Sequence, residues 1–104
     1  MSSDRRRDER VSLPLEAQCE GMSGKYVARL SDVSLGGCYV ESLASVSVGE
    51  RLQFQIRLPT GRWLPLQGEV VYQQPTLGFG VRFTDLSEIE REMLAHIIEY
   101  GGVS

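Results

Sequence analysis

The sequence predicts a mainly β fold, a six-stranded antiparallel, Greek-key-like β-barrel with one C-terminal α-helix. Three observations predict it. Apolar and polar residues alternate with a period of two through most of the chain. Clusters of Gly, Pro, Asp and Ser interrupt that alternation at short intervals. The period changes to 3.6 only after Ser87. A length of 104 residues suits one domain with one core, and therefore one site.

The first strand is read in Val11, Leu13, Leu15, Ala17 and Cys19, which alternate with Ser12, Pro14, Glu16 and Gln18; Pro14 suits it to an edge. After a turn from Gly21 to Gly24, Lys25 to Leu30 forms a second strand with Tyr26, Ala28 and Leu30 on one side. The turn formers Ser31 to Gly37 follow, then a short strand around Cys38 to Glu41. Leu52, Phe54, Ile56 and Leu58, alternating with Gln53, Gln55 and Arg57, mark the clearest strand, closed by the hairpin turn Pro59-Thr60-Gly61. The return strand is expected to carry Leu64, Leu66, Val70 and Tyr72 inward, with Gly68 as a bulge or tight bend. A last strand puts Leu77, Phe79, Val81 and Phe83 on one face and Gly78, Gly80 and Arg82 on the other. A helix over 86–100 opens on a possible capping box of Ser87 and Glu90, presents Ile89, Met93, Leu94, Ile97 and Ile98 as one apolar stripe, and stops at Gly101-Gly102. The expected organisation is a flexible Arg-rich arm at 1–10 and a barrel domain at 11–104.

Hydrophobic residues form 41% of the chain and charged residues 24%, the balance of a soluble globular domain rather than a disordered or fibrous one. No apolar run nears the roughly 20 residues that cross a bilayer, and the Arg-rich N-terminus lacks a signal-peptide apolar segment. The expected location is cytoplasmic, without membrane insertion. Cys19 and Cys38 have no His or Cys partner at metal-ligand spacing and read as buried strand thiols. His96 is the one histidine, and no nucleophile or orienting partner accompanies it, so catalysis is not expected.

The net charge of −3 disfavours a nucleic acid polymer as partner. Its distribution is uneven. Residues 1–10 carry Arg5, Arg6, Arg7 and Arg10 against Asp4, Asp8 and Glu9, a net +1, whereas the rest carries seven basic and eleven acidic residues, a net −4. An anionic ligand is drawn to the arm.

Two features remain after the fold is read. Arg6 and Arg10 stand four apart just before the first strand. Guanidinium groups are planar, permanently charged forks that bind phosphate or a guanine edge in bidentate fashion and stack on purines. The bland alternative is a solvated charged terminus. The second feature is Asp32-Val33-Ser34-Leu35-Gly36-Gly37 between two strands. A carboxylate accepts two N–H bonds from a guanine edge, a hydroxyl bonds base or phosphate, and glycine admits close backbone approach. Here the alternative is an Asx or Ser turn that only closes a hairpin.

Together, Arg-x-x-x-Arg, a strand pair and Asp-x-Ser-x-x-Gly resemble the PilZ domain, the bacterial cyclic di-GMP receptor family. The motif residues are Arg6, Arg10, Asp32, Ser34 and Gly37. Leu77-Gly78-Phe79-Gly80-Val81-Arg82-Phe83 is similar to the family's last-strand Gly-Val-x-Phe segment, and the likeness runs on into the C-terminal helix. The resemblance implies that Arg6 and Arg10 clamp phosphates and guanine faces, that Asp32 and Ser34 read a guanine edge, and that Gly37, beside Gly36, lets the turn approach the ligand. It further implies that the residue before the first motif arginine, Arg5, or Arg6 if Arg7 does the stacking, influences whether one or two ligand molecules bind. The implied ligand is cyclic di-GMP, with no other cofactor and no metal.

On this reading the arm closes over the ligand and the altered surface regulates an unidentified downstream protein partner; the chain is a monomer or weak dimer. Family association points to motility or biofilm control. The competing reading is a ligand-independent adaptor of the same fold. A single-stranded nucleic-acid binder would need exposed aromatics on a basic face, against the inward Phe54, Phe79 and Phe83. An enzyme is disfavoured because Glu69 and Glu88 have no partner identifiable by spacing.

Overall fold

The computed structural model describes residues 10–22 and 24–102. The expected arm, with Arg5, Arg6 and Arg7, lies outside the described residues, except for Arg10.

Six strands follow the alternating segments: β1 (Val11–Gly21), β2 (Gly24–Val33), β3 (Gly37–Glu41), β4 (Arg51–Arg57), β5 (Trp63–Gln74) and β6 (Gly78–Thr84). All neighbours are antiparallel and the sheet closes in the order β1-β2-β3-β6-β5-β4. Closure leaves no unpaired edge. β3 and β4 are consecutive in the chain yet not neighbours, so the intervening link crosses the barrel and buries Val46. It is tied down where Gly49 N–H donates to the Val70 carbonyl at 2.7 Å and Val70 N–H to the Glu50 carbonyl at 2.9 Å. Pro14 lies not on an open edge but in an irregularity of the β1–β2 ladder between Ser12 and Leu15, where a missing N–H is tolerated.

The inner faces of the strands make one core. Ala17, Leu30, Leu52, Ile56, Leu64, Val70 and Phe79 are buried, and the Phe54 and Phe83 rings stack at 6.0 Å between centroids. Each buried aliphatic or aromatic side chain contributes about 1.5–3 kcal/mol. Cys19 and Cys38 are free and buried in this core.

Helix α1 (Glu88–Gly102) opens on a reciprocal cap: Ser87 N–H donates to Glu90 Oε1 at 3.0 Å, and Glu90 N–H to Ser87 Oγ at 3.1 Å. It starts and ends two residues later than expected, and Gly101-Gly102 are its last residues rather than its stop. Leu94, Ile97 and Ile98 are buried, but Ile89 is exposed, because its spacing from them places it off the helix face that those three share.

Two inward assignments are corrected. Leu77 precedes β6 and is exposed, and Tyr72 faces outward. The cause of the second is a bulge: Val70 pairs with Val81 but Tyr72 pairs with Gly80, so Val71 is an extra residue that turns the strand over. Gly68, expected as the bulge, instead sits in regular pairing between Leu52 and Phe83. It is small for packing reasons, since a Cβ there would stand 2.4 Å from Val81 Cγ1.

Candidate functional site

Register positions the site. One inner row crosses five strands as Val11, Val33, Cys38, Val81 and Val70, all buried. The adjoining row is Ser12, Asp32, Tyr39, Gly80 and Tyr72. Directly paired residues share a face, so these five lie together on the outer wall.

Asp32 reaches that wall only through a second bulge. Leu30 pairs with Val40 and Asp32 with Tyr39, which makes Ser31 the extra residue of β2. Simple alternation from the buried Leu30 would have turned the Asp32 carboxylate into the core, where an unpaired charge costs several kcal/mol. The expectation that Asp32 belongs to the turn is therefore corrected: it is a strand residue, and the turn begins at Ser34.

Arg10, immediately before β1, donates from its guanidinium Nη1 to Asp32 Oδ1. Both groups are partly solvent-exposed. Thus the last residue of the arm and the first residue of the second motif meet on the wall.

The turn itself is built by Ser34, which is buried. Its hydroxyl accepts from Gly36 N–H and Gly37 N–H, each at 3.2 Å, and donates to the Gly37 carbonyl at 3.3 Å; Ser34 N–H also donates to that carbonyl at 2.8 Å. These bonds occupy the hydroxyl within the turn. Ser34 shapes the loop, as a Ser turn does, and holds Asp32 and Gly36 on either side of it. Gly36 is exposed and its carbonyl accepts Phe83 N–H at 2.9 Å. Gly37 is buried, and a Cβ there would stand 2.1 Å from the Val81 carbonyl oxygen, so its lack of a side chain lets β3 approach β6.

Sequence reasoning missed Tyr39 and Tyr72. Their ring centroids are 6.2 Å apart at an interplanar angle of 33°. A Cβ at Gly80 would lie 2.2 Å from Tyr72 Cε1, and one at Gly78 would lie 3.0 Å from Tyr39 Cε2, so the rings spread over the glycine stretch of β6. Tyr39 Oη donates to Gln74 Oε1 at 2.5 Å. Its phenol is pushed above its ordinary value by desolvation, then by Tyr72, Glu41 and Asp32. The available signal was Gly78-x-Gly80, which leaves the outer face of β6 bare for neighbouring side chains to cover.

Elsewhere on the wall, Arg82 donates to Glu69 at 2.9 Å, giving Glu69 an ion-pair partner, and Arg29 reaches Glu41 at 3.3 Å. Burial pushes the Cys19 thiol up to about 11 and raises Cys38 further, so neither is a nucleophile at neutral pH. Among the described residues no group of three His, Cys, Asp or Glu side chains could hold a metal ion. Among the same residues, no helix is long and apolar enough to cross a membrane.

A closed antiparallel barrel with a C-terminal helix and an Arg10–Asp32 ion pair on its outer wall defines a class of small β-barrel domain. The fold and the two motifs meet in one family, and the comparisons agree. The chain belongs to the PilZ domain family, whose model matches residues 4–100. Escherichia coli YcgR, solved in complex with c-di-GMP, is similar at 24% identity and a TM-score of 0.76, over 92% of this chain and 45% of that one. The Bacillus subtilis inhibitor of motility MotI/DgrA is similar at 19% identity and a TM-score of 0.71, over 88% of this chain and 46% of that one. The PilZ domain of CeSA from a cellulose-synthesizing bacterium is similar at 16% identity and a TM-score of 0.63, over 93% of this chain and 100% of that one. This chain therefore spans just under half the length of YcgR and MotI, and at these identities the likeness is one of fold. No curated protein matches.

Proposed function

We propose that the chain is a cyclic di-GMP receptor that acts as an adaptor and not as an enzyme. The observation that carries this reading is the meeting of Arg10, the second arginine of the Arg-x-x-x-Arg motif, with Asp32, the first residue of the Asp-x-Ser-x-x-Gly motif, on the outer wall. The fold shared with YcgR, which was solved with c-di-GMP, supports the ligand. In this reading Arg10 leaves the Asp32 carboxylate to bind a phosphate or stack on a guanine, and Asp32 accepts two N–H bonds from the guanine edge. Arg6, with Arg5 and Arg7 beside it, supplies the second cationic clamp. Ser34 and Gly37 hold the turn, and Gly36 leaves room at its surface. Charge-assisted bonds of about 1.5–3 kcal/mol each offset the ordering of the arm.

Ligand binding then alters the surface around residues 1–10 and regulates a protein partner in the cytoplasm; the fold shared with an inhibitor of motility supports a motility target. A thermal-shift comparison tests the receptor reading. Cyclic di-GMP at about 100 times its dissociation constant should add about 2.7 kcal/mol of stability and raise the melting temperature, while GMP and cyclic AMP leave it unchanged. An unchanged melting temperature with all three would leave the ligand-independent adaptor.

A further inference from the structure

We infer that the groove between α1 and the β4–β5 turn docks a helix of a partner protein, one that carries an apolar stripe at heptad spacing beside a basic flank. This rests on the adaptor reading above and gives it a partner site whose lining includes neither Arg10 nor Asp32.

The apolar positions of α1 divide between two faces. Leu94, Ile97 and Ile98 are buried against the barrel. Ile89, Met93, His96 and Tyr100 follow one another at spacings of four, three and four, the rhythm of a helix seam, and so share a second face. Ile89 is 69% exposed and Tyr100 62%. Apolar anchors at this spacing are what a second helix packs against.

A groove of about 830 Å³ opens beside the seam. Its floor is apolar, with Leu58 and Ile97 buried and Met93 half-buried. Pro59, Thr60 and Arg62 of the β4–β5 turn line the far wall. That wall is fixed: Leu58 N–H donates to the Arg62 carbonyl at 2.7 Å, and Gly61 N–H donates to the Leu58 carbonyl at 2.8 Å. The groove is therefore formed before a partner arrives, which lowers the ordering that docking requires.

Charge selects the occupant. Glu88, Glu92 and Glu99 are exposed along one border of the seam, while Arg91 lies round the opposite side of the helix. The last turn adds the negative end of the helix dipole and, among the described residues, no basic group. A second copy of this chain does not fit, because antiparallel pairing of the two helices would set the Glu92 and Glu99 border against itself. A helix with Lys or Arg beside its apolar stripe offsets these carboxylates.

Fluorescence anisotropy tests this with a labelled synthetic peptide about three heptads long, Leu at its a and d positions and Lys at e and g, beside a twin with Glu for every Lys. The full chain should bind the Lys peptide and not the Glu peptide. The double variant Ile89→Ser/Tyr100→Ser changes two exposed positions and no charge, so it should fold, and it should weaken binding by about tenfold or more. Glu92→Lys/Glu99→Lys should reverse the preference between the peptides. Equal binding of the Lys peptide by wild type and the Ser variant, an unchanged preference after charge reversal, or no binding at all refutes the site. A wild-type dimer in sedimentation that the Ser variant breaks gives the groove to a second copy and also refutes it. The peptide titrations contain no nucleotide, and a parallel titration with cyclic di-GMP separates the two readings. Wild type that binds the peptide and not the nucleotide keeps the groove and loses the receptor; the converse keeps the receptor and loses the groove.

Discussion

Arg10 and Asp32, separated by 22 positions in sequence, form an ion pair across the start of β1 and the end of β2. The pair has its guanidinium side chain 51% exposed and its carboxylate side chain 35% exposed. An ion pair this wet contributes about 0–1 kcal/mol to folding. Arg10→Ala should therefore cost under about 1 kcal/mol in urea denaturation, while Asp32→Ala should do the same. A loss of several kcal/mol from either would make the pair a structural element and not a site held ready for ligand.

Ser34→Ala should be more damaging than either charge deletion. It strands two buried or part-buried N–H groups, Gly36 and Gly37, at about 1–3 kcal/mol. Urea denaturation measures this, and hydrogen exchange should show faster exchange at Gly36 and Gly37.

Gly37→Ala should be severe, because the added Cβ meets the Val81 backbone carbonyl at 2.1 Å and a strand must move. Overpacking of this kind costs about 1–3 kcal/mol, occasionally more. Gly36→Ala, where the nearest atom is Ser34 Oγ at 4.0 Å, should be close to neutral. The contrast in melting temperature between the two variants checks the assignment of Gly37 to β3–β6 packing.

The buried thiols set an alkaline limit on stability. Cys19 rises from 9.0 to about 11 in the folded chain, and Cys38 is raised further. The unfolded state then loses these protons first, so stability is fully present below about pH 9 and falls as pH rises through about 11. Denaturation midpoints across that window should slope downward. Replacing both residues with alanine should flatten the slope, apart from the contribution of other groups that titrate there.

The barrel was legible because alternation survives where strands are regular, as in Leu52, Phe54 and Ile56 of β4. The cap was legible because Ser87 and Glu90 carry the chemistry of a helix start in their spacing. The motif residues stood out in the sequence, but the way the strands carry them did not. A period-2 reading has no place for an extra residue, so it turned Tyr72 inward and could not see that Ser31 frees Asp32 to leave the core. Sequence does not reveal that the Ser34 hydroxyl accepts from two backbone amides of its own turn. Ile89 was assigned to the stripe through its spacing of four from Met93, although the helical period places it off the face shared by Leu94, Ile97 and Ile98.

The most direct test of the receptor reading is calorimetric titration of the protein with cyclic di-GMP, beside Arg10→Ala. The account predicts saturable binding that Arg10→Ala weakens by about 2 kcal/mol, roughly thirtyfold. No heat and no saturation with wild type, or equal affinity in the two proteins, would contradict it.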